Sequence, residues 1–91
     1  MISCDVPITN ALGMHARAAA RFVHAANAFT AHIRVGCRGR EIDGKSIMGL
    51  LLLAAARGTT ITITADGRDE AMAIAALRTL VERGFEDAPC A

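Results

Sequence analysis

An imidazole and a guanidinium stand two residues apart in Gly13-Met14-His15-Ala16-Arg17, just ahead of the strongly helical run Ala18-Ala19-Ala20-Arg21-Phe22-Val23. This places His15 at or next to a helix N-cap, with Asn10 to Gly13 as the loop before it. The first N–H groups of a helix have no intrahelical acceptor and carry the positive end of its dipole. Such an end binds phosphate. A neutral imidazole nitrogen is a nucleophile. The backbone N–H groups of Ala16, Arg17 and Ala18, with the Arg17 guanidinium, could hold the oxygens of a phosphoryl group carried on it. The chemistry indicated is reversible phosphoryl transfer through His15, with no metal and no cofactor. The plain alternative is a surface or loop histidine. Two features speak against it. Ser, Thr, Asp or Asn would cap better than His, and Arg17 puts a cation where the dipole disfavours one.

A second stretch, Asp43-Gly44-Lys45-Ser46-Ile47-Met48-Gly49-Leu50, opens another helix. Ser46 can cap it by accepting an orphan N–H. On so short a helix Leu50 and Leu53 suffice as the buried stripe. Ile47, Met48, Leu51 and Leu52 cannot all point inward as well. Either some pack under a neighbouring loop, or they form an exposed apolar patch for docking partners. Ala20 would extend that patch. Arg17, Arg21 and Lys45 would rim it with positive charge and steer acidic partners.

These two stretches resemble the HPr family, the histidine phosphocarriers of the bacterial phosphoenolpyruvate phosphotransferase system. The usual family forms read Gly-Leu-His-Ala-Arg-Pro-Ala and Lys-Ser-Ile-Met-Gly. The resemblance runs from Val6 to about Arg83, and the alanine-rich helices look more like its nitrogen-related branch, NPr. It implies that His15 accepts a phosphoryl group on Nδ1 from phospho-Enzyme I and passes it to a histidine of a IIA protein. It implies a carrier and not a stand-alone enzyme. It also implies a regulatory phosphosite at Ser46, served by an HPr-type Ser kinase/phosphorylase. The competing reading is a regulatory binding module acting mainly through the state of Ser46. Ala18 departs from the family's proline, which adds an N–H donor and frees Arg17 from the restriction that a following proline imposes. Met14 in place of leucine conserves volume.

The elements that must position these groups follow from periodicity. Ile2 to Thr9 alternates Cys4, Val6 and Ile8 on one face. Ala16 to Asn27 is an amphipathic helix with Ala19, Phe22, Val23 and Ala26 as its stripe. His24 falls on the opposite side from His15 by the helical period. Ala31 to Cys37 and Arg40 to Asp43 are strands joined at Arg38-Gly39, with His32 facing out. Ile47 to about Leu53 is the short helix, which Gly58 helps to end. Thr59 to Ala65 is the clearest strand. Asp69 is a plausible cap for a last helix running to about Arg83, with Ile74, Leu77, Leu80 and Val81 as its stripe. The order βαββαβα implies an α+β, two-layer open-faced sandwich, with three helices on one face of a four-stranded antiparallel sheet. The family resemblance implies the strand order 1-4-2-3.

The chain has 91 residues, a formal net charge of +1 and three Phe as its only aromatics. One domain, 1–91, is expected, with a flexible tail from about residue 85. Near-neutral charge and scarce aromatics argue against nucleic acid and a ferredoxin-like small-ligand or RNA module. The longest apolar run, Ile47 to Ala56, is too short to span a bilayer. No signal segment is evident, so a cytoplasmic monomer is expected. Cys4, Cys37 and Cys90 fit neither a disulfide framework nor a zinc pattern. The first two read as small buried hydrophobes and Cys90 as an exposed tail thiol.

Overall fold

The computed structural model of the chain describes residues 1–86. The elements run β1 (Ile2–Pro7), α1 (Ala16–Ala26), β2 (His32–Cys37), β3 (Arg40–Asp43), α2 (Ile47–Leu53), β4 (Thr60–Asp66) and α3 (Glu70–Glu82), followed by a 3-10 turn at Gly84–Glu86. The strands form one antiparallel sheet in the order β1-β4-β2-β3, as the family resemblance implied. β4 lies between β1 and β2, with Val6 opposite Ile61 and Val35 opposite Ile63.

Strict alternation gives the sheet two unlike faces. Val6, Ile33, Val35, Ile61 and Ile63 are buried beneath Phe22 of α1, Leu50 of α2 and Leu77 of α3. The other face is polar. There Ser3 and Thr64 share a hydrogen bond of 2.9 Å, the Thr62 hydroxyl donates to Asp5 at 2.7 Å, and Arg34 pairs with Glu41 at 2.7 Å.

Several local expectations need correction. Cys37 is buried, but Cys4, on the edge strand β1, is only partly covered; that cover still pushes its thiol pKa upward by desolvation. In α3 the buried stripe is Ala73, Ile74, Leu77 and Val81, with Leu80 half-buried. α2 does not need Gly58 to end it. Ala54 takes the left-handed C-cap conformation (φ 51°, ψ 42°) and its N–H reaches the Leu50 carbonyl at 3.3 Å. Nor does the chain leave the fold at residue 85. Phe85 is fully buried, swung inward by two successive positive φ angles at Gly84 and itself. Cys90 lies outside the described residues.

Asp69 stands at the N-cap position of α3, yet its side chain makes no cap hydrogen bond. Its carboxylate instead accepts the backbone N–H groups of Thr30 and Ala31, each at 2.9 Å. It therefore fastens the α1–β2 loop to the start of α3. The Thr30 N–H first, then that of Ala31, holds the Asp69 carboxyl below its ordinary pKa. A depressed folded-state value adds stability above the unfolded pKa, and that stability is lost as pH falls through the folded value. Asp69→Ala should lower the melting temperature at neutral pH. The gap from wild type should shrink as the buffer is acidified below the ordinary carboxylate range. A gap independent of pH would mean that packing, and not the charge, is what Asp69 supplies.

Candidate functional site

The path into the site starts where β1 ends. The Ile8 N–H donates to the Thr59 carbonyl at 2.8 Å, and the Gly58 N–H donates to the Ile8 carbonyl at 2.9 Å. Met14 N–H then donates to the Ala55 carbonyl at 2.8 Å. The loop carrying the histidine is thus clamped at both ends onto the α2–β4 connection. Gly13 makes that close approach possible. Its φ is +63°, and a Cβ there would lie 2.6 Å from the Ala55 carbonyl oxygen. Both the left-handed backbone and the tight contact require glycine.

His15 is the N-cap of α1, with extended backbone (φ −91°, ψ 179°). Its carbonyl accepts the Ala19 N–H at 2.8 Å, while its side chain makes no cap hydrogen bond. The ring is half-buried and Arg17 is exposed. The first turn of α1 holds no acidic residue. The N–H groups of Ala16, Arg17 and Ala18 occupy that turn, where the helix itself offers no acceptor. Ala18 is fully buried, its methyl part of the core. An anion at this end would meet backbone donors and one guanidinium, with no carboxylate in the first turn to repel it.

The cationic rim differs from expectation. The Arg21 guanidinium donates to the Phe85 carbonyl at 2.7 Å and is half-buried. Lys45 is half-buried too, its ammonium donating to the Phe29 carbonyl at 2.7 Å beyond the end of α1. Both charges are therefore tied to backbone, and Arg17 is the exposed one of the three. His24 is exposed and shares one side of α1 with Arg17 and Arg21, along a groove closed by Leu80 and Glu86. His32 is exposed on the polar sheet face, opposite Asp66 of β4.

On α2, Ser46 Oγ accepts the Gly49 N–H at 3.0 Å and is the N-cap. Leu50 and Leu53 are buried. Ile47, Met48 and Leu52 are 42%, 66% and 62% exposed, enough for an apolar patch. Leu51 does not join it fully, being half-buried against the core. Ala20 is exposed on α1, which packs against α2. Sequence reasoning missed Leu12, 74% exposed on the histidine loop. An apolar residue in a loop with no periodic partner was the available signal. Among the described residues no cluster of His, Cys, Asp or Glu could hold a metal ion, and no helix is long and apolar enough to cross a membrane.

The family described as "PTS HPr component phosphorylation site" matches residues 2–83. The phosphocarrier protein HPr of Xylella fastidiosa is 42% identical over 87 residues, 96% of this chain and 98% of that protein. The HPr-like protein Crh of Halalkalibacterium halodurans is 41% identical over 83 residues, 91% of this chain and 99% of its own. The crystal structure of HPr from Thermoanaerobacter tengcongensis superposes with a TM-score of 0.92 at 38% identity, covering 97% of this chain and 99% of that one. The chain belongs to the HPr family, the phosphocarriers of the bacterial phosphotransferase system. Proteins of this family are carriers and not enzymes in the usual sense.

Proposed function

We propose that this protein takes a phosphoryl group from phospho-Enzyme I onto Nδ1 of His15 and passes it to a histidine of a IIA protein. It does so in the cytoplasm, as a monomer, without metal or cofactor. The observation that carries the reading is the N-cap placement of His15, its side chain unused for capping, ahead of an acid-free first turn and an exposed Arg17. The imidazole attacks phosphorus, and the donor's histidine leaves with its electron pair. The oxygens of the transferred group then meet the N–H groups of Ala16, Arg17 and Ala18 and the Arg17 guanidinium. One guanidinium and neutral donors hold the group without trapping it, as a carrier must. Ile47, Met48, Leu52 and Ala20, with Leu12 beside them in sequence to the histidine, form the apolar surface that the partners cover. Incubation with Enzyme I and labelled phosphoenolpyruvate tests the reading. The label should be acid-labile and base-stable, and should map to the peptide containing His15. A label elsewhere, or none, would overturn it.

A second role, regulation through Ser46, is supported by its position. Its hydroxyl stands at the α2 N-cap, next to exposed Ile47 and Met48, where an HPr-type Ser kinase could reach it. Ser46→Ala removes the bond to Gly49 and should lower stability by about 0.5–2 kcal/mol while leaving transfer nearly intact. Ser46→Asp keeps a capping oxygen and adds a charge that suits the helix end, so stability should hold or rise. The same charge would have to be desolvated against an apolar partner surface. Transfer from Enzyme I should therefore fall clearly. If Ser46→Asp transfers as well as wild type, Ser46 is a cap only.

A further inference from the structure

We infer that Asn10 is a positioning residue for His15: its buried side-chain amide fixes the peptide from which the histidine projects. The inference uses the proposed phosphoryl transfer for one of its two readouts and stands apart from it in the other.

Asn10 is the one buried polar side chain among the described residues, 9% exposed. Burying an amide is unfavourable unless it is hydrogen-bonded, and an apolar residue would fill the same space without that cost. The amide is therefore best explained by what it binds. Asn10 Nδ2 donates to the Gly13 carbonyl at 2.8 Å. The Asn10 backbone carbonyl accepts the Gly13 N–H at 3.1 Å. Gly13 is thus held through both its polar atoms by one residue. The Gly13 carbonyl also accepts the His15 N–H at 3.0 Å. That single oxygen joins Asn10 to the histidine's own backbone.

The Gly13 carbonyl belongs to the peptide whose N–H, on Met14, reaches Ala55 at 2.8 Å. Orienting that planar group from its oxygen side also aims its N–H. Asn10 is braced from behind as well. A Cβ at Gly84 would come within 3.2 Å of the Asn10 Cβ, so the C-terminal turn closes against it. The next residue of that turn, Phe85, offers its carbonyl to Arg21 of α1. The histidine loop, the C-terminal turn and α1 are tied together around Asn10. Without the side chain the Gly13 peptide loses the bond that sets its rotation, and the His15 backbone loses its fixed start.

The test uses Asn10→Ala in the full chain. Misplacement of a reacting group by about 1 Å can slow a reaction as much as a hundredfold, so transfer from phospho-Enzyme I should slow by about tenfold to a hundredfold. The His15 imidazole resonances should shift, while those of His24 and His32 stay in place. A lower melting temperature with His15 resonances and transfer rate unchanged would make Asn10 a brace only and overturn the inference. If Asn10→Ala does not fold, Asn10→Ser carries the same two readouts, and its small donor should leave a smaller shift than a disordered loop would give. A Ser variant indistinguishable from wild type in both readouts would overturn the inference equally. If wild type accepts no phosphoryl group from Enzyme I, it is the phosphocarrier reading that fails. The imidazole resonances then still decide the role of Asn10.

Discussion

His15→Ala is expected to lose all Enzyme I-dependent label from phosphoenolpyruvate and to melt close to wild type. The loss follows from removing the one imidazole placed at the start of α1. His24 stands along the Arg17–Arg21 side of the helix and His32 lies on the polar sheet face, so His24→Ala and His32→Ala should label as wild type does. The fold should survive because the cap bond from Ala19 ends on the backbone carbonyl of residue 15, which alanine also supplies. The side chain makes no cap bond that could be lost. Quantitative labelling beside a thermal melt checks both halves. Wild-type label on the His15→Ala protein would rule out His15 as the acceptor.

Arg17→Ala should slow transfer at least about tenfold, since a hydrogen bond to a charged group contributes roughly 1.5–3 kcal/mol. Its effect on stability should be nil or slightly favourable. Arg17 is exposed, and a cation in the first turn opposes the helix dipole. Rapid-quench transfer rates and a melting curve on the same preparation separate the two effects. A large drop in melting temperature would make Arg17 structural. Arg21→Ala should behave in the opposite sense, because its guanidinium holds the Phe85 carbonyl.

What could be read from the chain was whatever repeats locally. β4 alternates residue by residue, and the Phe22 stripe of α1 follows the helical period, so both emerged from pattern alone. His15 and Ser46 were legible as helix starts because an N-cap is defined by its immediate neighbours. The strand order came from family resemblance, since periodicity says nothing about which strand pairs with which. The long-range polar bonds were not legible. The Asp69 carboxylate looked like a cap, but it reaches back to Thr30 and Ala31. Lys45 looked like a free surface charge, but it closes on Phe29. Each choice depends on which carbonyl or N–H the tertiary fold brings near. Phe85 looked like tail because the helix pattern had ended, and only the left-handed turn at Gly84 returns it to the core.

The place of β4 in the sheet sets the order in which the protein can become competent. Among the described residues β1 pairs with β4 alone, and the histidine loop is pinned to residues 55, 58 and 59. Each of these partners is made long after His15 itself. While the chain is being synthesised, the histidine, the glycine and Asn10 precede the residues at 55, 58 and 59 that pin their loop to the rest of the fold. Such pairings across long sequence separation form late, since loop closure precedes the contacts that reward it. A nascent or truncated chain therefore carries the histidine motif without the tertiary contacts that position it.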